Sequence, residues 1–297
     1  MGNTADCFHI IMISPMGHFE NKDSMGPHMA DWDSEAIRRI WDWYAMDPHT
    51  RDRYFSYTRG EALARFIAAT GRLHGNLLDF GCGQGDLLAH LLERGISCYG
   101  ADHSPQTLAK VSGRFSQHQN WRDCRLIDGN KIDFASNFFD VITLVETLEH
   151  IPTDKLTQLF DELRRLIKPD GIIVISTPYN EDLSKEAIYC PFCESIFHRW
   201  QHLHSFTVDS LHKLIRDHGF QAEFCQNVDL DQLVLHARLF PLRHLSLAKI
   251  AQWILRKGRI VMDYLFPRPF PLGRSIRYCQ RAGNRRHLCA VISPIQT

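Results

Sequence analysis

The chain has no run of about 18 or more apolar residues, the length a membrane-spanning helix needs, so no such helix is expected in its 297 residues. Its start lacks a positively charged head followed by an apolar stretch, and no secretory signal is read there. The opening MGNTAD also fails the myristoylation pattern, which wants Ser or Thr where Asp6 stands. The expected location is the cytoplasm. Net charge is absent as well, with 34 Lys and Arg against 34 Asp and Glu. That balance argues against a generally basic nucleic-acid binder. It hides an asymmetry, because residues 231–297 hold twelve basic residues and two acids, Asp231 and Asp263. Close cysteine pairs are scarce too. Of nine cysteines only Cys190 and Cys193 lie near each other, so the rest read as reduced thiols rather than a disulfide framework.

What is present is a regular alternation. Residues 1–30 have little periodicity and are expected to form a loose head. Ser34 can cap a helix toward Tyr44, and a second helix follows within 31–74. From there the segments NLLDFGCG, ISCYGAD, CRLID, FFDVITLVET, IIVIST, AEFCQNVDL and HLCAVIS read as strands. Helices lie between most of them, at 86–94, from Ser104 to Phe115, from Thr153 or Asp154 to Ile167, and from Val208 to Asp217. Seven strands alternating with helices imply an α/β domain over 75–297, a doubly wound and mostly parallel sheet with helices on both faces. Two stretches interrupt the pattern and read as insertions. One is a Cys/His segment at 181–204, the other a basic, helix-like segment at 231–286.

The strand in LLDFGCGQGDLL runs into Gly81, Gly83 and Gly85 and then a helix. Glycines there let the backbone turn sharply and approach a ligand closely. A dinucleotide fingerprint would place glycine at position 86, where this chain has an acid. Asp79 and Asp86 would repel a pyrophosphate but tolerate a ligand with a positive sulfonium and an amino group. Asp102 ends the second strand, where a carboxylate can accept both ribose hydroxyls. Asp128 ends the third, where it can hold an adenine amino group beside Gly129.

These pieces, taken with YGADHSP, FFDVITLVETLEHIP, RRLIKPDGIIVISTPYN and HSFTVDSLHKLIRDHGF, make the chain similar to the class I S-adenosylmethionine-dependent methyltransferases across about residues 75–225. The resemblance implies a Rossmann-like fold whose last strand is antiparallel and inserted between its neighbours. It implies S-adenosylmethionine as cofactor, with Asp79, Gly81, Gly83 and Gly85 around its methionine part and Cys82 and Val145 also among its binding residues. Asp102 would bind the ribose, His103 would lie beside the adenosine, and Asp128 and Gly129 would border the adenine.

ETLEH follows the fourth strand, at the carboxyl edge where open α/β sheets bind substrates. If a helix continues from it, Glu146, Glu149 and His150 share one face. His204 can converge on the same edge. Two roles stay open. The four can hold a divalent metal that activates a substrate hydroxyl, or His150 can serve as general base. The pattern resembles ubiquinone-pathway O-methyltransferases, and also small-RNA 2'-O-methyltransferases, where a later histidine completes Glu-x-x-Glu-His. Farther on, Cys190, Cys193, His198 and His202 offer a candidate structural zinc site. The expected activity is O-methylation of a small-molecule or glycan-like hydroxyl. The alternatives are metal-dependent 2'-O-methylation of RNA ends and a non-catalytic module that keeps the fold. The basic segment reads as a cap over the pocket or as an element touching anionic lipid, which would suit an anionic or lipid-linked acceptor.

Overall fold

A computed structural model describes residues 26–47, 49–50, 53–129, 131–230 and 287–295. The expected basic helical segment at 231–286 and most of the expected loose head therefore lie outside the described residues. The head's described end is ordered into a strand, β1 (His28–Met29). Two helices follow, α1 (Ser34–Met46) and α2 (Phe55–Ala68). The domain then runs β2 (Asn76–Phe80), α3 (Asp86–Leu92), β3 (Ser97–Asp102), α4 (Pro105–Phe115), β4 (Trp121–Leu126) and β5 (Phe139–Val145). It continues with α5 (Leu156–Leu166), β6 (Ile167–Pro178), β7 (Ala187–Tyr189), β8 (Ser195–His198), α6 (Val208–Asp217), β9 (Phe220–Val228) and β10 (His287–Pro294).

The helix starts follow local chemistry. Ser104 accepts a hydrogen bond from the Thr107 backbone at 3.0 Å, and Pro105 occupies the first turn of α4. Thr207 and Ser210 form a reciprocal capping box on α6. On α1 the cap is Asp33 rather than the expected Ser34, its carboxylate accepting from Ala36 at 2.7 Å.

The main sheet has seven strands in the order β4-β3-β2-β5-β6-β10-β9, all parallel except β10, which is antiparallel to both neighbours. This is the order implied by the resemblance. The central strands are buried on both faces. Leu77, Val141, Val174 and Val291 pack on α2, α3 and α4 through Phe66, Leu91 and Val111. The alternate residues Leu78, Ile142, Ile173 and Ala290 pack on α5 and α6 through Leu159, Leu163 and Leu211. Strand periodicity thus feeds two separate cores. The turn-like sequence Lys168-Pro169-Asp170-Gly171 lies within β6, whose register against β5 jumps from Phe139–Ile167 to Val141–Ile172.

The Cys/His segment builds a second, three-stranded sheet in the order β1-β8-β7. It ties the N-terminal segment to residues more than 150 positions later. Trp41 donates to Gln201 at 3.0 Å, Tyr44 donates to the Arg199 carbonyl at 2.5 Å, and Tyr44 stacks on Trp200.

Candidate active site

The turn after β2 is held by its own backbone. Gly81 and Cys82 both donate to the Ala101 carbonyl, at 2.8 and 2.9 Å. Gly81 and Gly85 sit at φ +77, and a Cβ on either would come within 2.7 Å of a neighbour, Thr147 for Gly81 and Phe115 for Gly85. Gly83 differs. A Cβ there would meet nothing closer than Tyr54 at 3.8 Å, and the space it would enter belongs to a cavity of about 580 Å³. Asp102, at the end of β3, anchors the turn. Its carboxylate accepts from Gly83 at 2.9 Å and from Ser104 at 2.9 Å.

The cavity runs along the carboxyl ends of β4, β3, β2 and β5. Of the expected cofactor residues it is lined by Gly81, Cys82, Gly83, Asp102, His103, Asp128, Gly129 and Val145. Asp79 and Gly85 do not line it. Gly85 caps α3, and Asp79 lies beneath the turn, accepting from the Thr143 hydroxyl at 2.7 Å. Burial pushes the Asp79 carboxyl up to about 7 and draws the His103 imidazole down. Residues that sequence reasoning missed complete the wall, among them Trp41, Tyr54, Gln84 and Trp200. No motif marks them in the sequence.

Asp79 gives a pH signature. Its carboxyl keeps a proton to about pH 7 when folded but has an ordinary value of 3.8. The folded state therefore holds this proton more tightly, and the associated stability is full below about pH 4 and lost as pH rises toward 7. Asp79→Asn should remove that dependence. In thermal unfolding between pH 4 and 8, the mutant should gain on the wild type as pH rises. A difference in melting temperature that stays constant with pH would contradict the assignment.

The reaction end departs from expectation. No helix continues from β5, because Glu146 adopts φ +48 and only a short 3-10 turn follows at Leu148–His150. Glu146, Glu149 and His150 therefore do not share a helical face. Glu146 lines the cavity and accepts from the Ser176 hydroxyl at 2.6 Å, and burial pushes it up to about 8. His150 also lines the cavity. Burial and the neighbouring His202 draw it down to about 3. Glu149 is fully buried beneath them, and burial raises it well above the usual carboxylate range. His204 does not join this group, because its Nε2 lies 2.8 Å from the Ile151 carbonyl. The expected four-residue metal set is thus not assembled.

The expected zinc set is not assembled either. Cys190 and Cys193 occupy the tip of the β7–β8 hairpin, where Cys190 donates its backbone N–H to Ser195 and Cys193 lies 3.0 Å from the Ser195 hydroxyl. His198 pairs with Ala187 at the hairpin base, three residues beyond Ser195 and therefore about 10 Å along the strand. Hydrogen bonds from Ser195 and Cys190 hold the exposed Cys193 thiol down at about 7. Among the described residues, the converging groups able to hold a cation are Glu149–His150–His202 and Glu181–His198–His202.

Comparison with known proteins agrees with this geometry. The methyltransferase-domain family matches residues 31–223. The chain is a member of the class I S-adenosylmethionine-dependent methyltransferases. It is 31% identical over 214 residues to a ubiquinone biosynthesis O-methyltransferase of Cereibacter sphaeroides, covering 69% of this chain and 76% of that one. It is 33% identical over 115 residues to a small RNA 2'-O-methyltransferase of Arabidopsis thaliana, covering 35% of this chain and 12% of the relative. Against another Cereibacter sphaeroides ubiquinone biosynthesis O-methyltransferase it spans 59% of the relative's length. Similar solved structures include a DhpI–SAH complex, with TM-score 0.52 and 16% identity over 87% of this chain and 96% of that one. The glycopeptide N-methyltransferase MtfA complexed with sinefungin aligns with TM-score 0.51 and 11% identity over 79% and 86%. At such identities they speak to the fold alone.

The residues present fit the family's cofactor. Gly83 leaves a cradle that any Cβ would fill, and the Asp102 carboxylate in the wall suits a cationic ligand.

Proposed function

We propose that this methyltransferase alkylates a hydroxyl of a small-molecule or glycan-like acceptor. S-adenosylmethionine, when bound, supplies an electrophilic methyl group on a positive sulfur. The observation that carries the reading is one continuous cavity. It joins Asp102 and the Gly83 turn to Glu146, His150 and His202.

Asp102 would accept from the ribose hydroxyls, and Asp128 and Gly129 would border the adenine. The acceptor oxygen would approach from the Glu146 side. As the C–O bond forms, the C–S bond breaks with its electron pair going to sulfur, and the hydroxyl proton must leave. Glu146, in its ionised form, is the stronger proton acceptor of the two, and with its carboxyl pushed up to about 8 that form gains above neutral pH. His150, held near 3, is a weaker one. A cavity of about 580 Å³ has room for the cofactor and the reacting end of an acceptor. Trp41 and Trp200 in its wall suit a partly apolar acceptor.

The test is transfer of a labelled methyl group from the cofactor into fractionated cell extract, with single-stranded RNA run in parallel. Label should enter a small-molecule or glycan fraction as an ether stable to base. Incorporation into RNA alone would replace this reading with 2'-O-methylation of RNA. Failure of the purified protein to bind S-adenosylhomocysteine would favour a non-catalytic module.

A further inference from the structure

The β7–β8 hairpin ends in Cys190-Pro191-Phe192-Cys193, a segment that does not line the methyl-transfer cavity. Its turn is closed twice. Cys190 donates its backbone N–H to the Ser195 carbonyl at 2.9 Å, and its own carbonyl accepts from Glu194 at 2.9 Å. That second bond spans four residues and winds the segment into one helical turn. Residues three apart on such a turn have Cβ atoms about 5–6 Å apart, and a disulfide needs about 3.5–4.5 Å. A small closure at the hairpin tip supplies the difference.

The two sulfurs are not alike. Cys193 is exposed and Cys190 is half-buried. The Cys193 thiol lies 3.0 Å from the Ser195 hydroxyl, and Ser195, Cys190 and the charge of His28 on the adjoining β1 all act to lower it. Elsewhere the shift runs the other way. Burial pushes the thiols of Cys82, Cys98, Cys124 and Cys225 up. An accessible thiol that ionises near neutral pH is the reactive kind, and a buried one is inert.

We propose that Cys190 and Cys193 form a redox-active dithiol that exchanges with low-molecular-weight disulfides, with Cys193 as the attacking sulfur and Cys190 as the resolving one. The Cys193 thiolate attacks one sulfur of the small disulfide, whose S–S bond breaks and releases one thiolate. The Cys190 thiolate then attacks Cys193 in the mixed disulfide and expels the second. The two cysteines are oxidised by two electrons, the small disulfide is reduced to two thiols, and the protons the cysteines lose are taken up by the departing thiolates. An exposed disulfide of this kind is readily reversed. A cation is the competing use of a Cys-x2-Cys turn. A closed zinc site takes four ligands, and among the described residues neither cysteine belongs to a converging group of three. From the hairpin, β8 runs on toward Trp200 and His202 in the cavity wall, yet the exchange chemistry stands without the proposed methyl acceptor.

The test is incubation of the reduced full-length protein at neutral pH with glutathione buffers of stepped disulfide content, then alkylation and peptide mapping by mass spectrometry. The peptide holding both cysteines should lose two hydrogens as one internal disulfide, and reduced glutathione should reverse it. In Cys190→Ser the exchange should stop at a mixed disulfide on Cys193. That sulfur should react about threefold faster than an ordinary thiol of pKa about 8.5, its larger thiolate fraction being partly offset by weaker nucleophilicity. Ser195→Ala should move the pH midpoint of Cys193 alkylation upward. No internal disulfide in fully oxidising buffer, or a bridge from Cys193 to another cysteine, would overturn the proposal. So would zinc that copurifies with the wild type and is lost from the Cys190→Ser, Cys193→Ser double variant. Binding of S-adenosylhomocysteine by the same samples reports separately on their folding and on the methyltransferase reading.

Discussion

Asp102→Ala should weaken S-adenosylhomocysteine binding by at least about a hundredfold, measured by calorimetry. Hydrogen bonds to a charged acceptor are worth about 1.5–3 kcal/mol each, and a ribose offers this carboxylate two hydroxyls. The loss has a second component. Asp102 already fixes the backbone N–H groups of Gly83 and Ser104, so its removal also loosens the turn that the cofactor would lie against. Asp102→Asn separates the two effects. It keeps most of the shape and loses the charge, and it should retain the apo melting temperature more nearly while still losing most of the affinity. Unchanged affinity in both variants would remove Asp102 from the cofactor site.

The glycine turn should divide into a residue that serves binding and one that serves folding. Gly83→Val should abolish cofactor binding yet leave a folded protein, because the side chain would enter the cavity and touch only Tyr54. Its backbone at φ +48 adds a strain of about 1–2 kcal/mol. Gly81→Val should instead destabilise the apo protein by several kcal/mol. There the Cβ falls 2.6 Å from Thr147 Oγ1 and 2.8 Å from its methyl, both packed in the interior, and φ is +77. Thermal unfolding and calorimetry on both variants decide the matter. Equal loss of stability in the two would mean that the space over Gly83 is not the cofactor cradle.

The cofactor half of the cavity was readable in the sequence, and the acceptor half was not, for a physical reason. Gly81, Gly83 and Gly85 stand where the chain needs positive φ and close approach, a demand that only glycine meets cheaply, so the residue type discloses the conformation. Asp102 follows from the spacing of a strand. The strand and helix alternation rests likewise on local periodicity. At the other end the decisive geometry is left-handed backbone at Glu146 and Gln201, residue types that give no such signal. A helical continuation through Glu146–His150 was the natural expectation, and one positive φ removes it. That His202 rather than His204 lines the cavity goes with the turn at Gln201. Gln201 is fully buried, bonded to Trp41 and to the His150 carbonyl, and it turns the following histidine toward the cavity. The cysteine pair was legible as a pair. Its isolation from His198 came from a hairpin whose length was not. In each case the missing information was a contact between distant residues, which spacing alone does not encode.

The position of β10 carries a consequence for how the molecule assembles. This strand lies between β6 and β9 and supplies the ladder on both sides, pairing Val291 with Val174 on one edge and with Phe224 on the other. During synthesis β9 emerges before the strand it joins, because among the described residues its sheet neighbour is β10, made about 60 residues later. Until then β6 is an unprotected edge, the situation that invites pairing between chains. The half of the sheet that carries Glu146 and Ser176 is therefore finished last. Long-range pairing of this kind is slow to form. A nascent chain could shape its glycine turn early and still lack a settled place for the acceptor until its final strand slides into the gap.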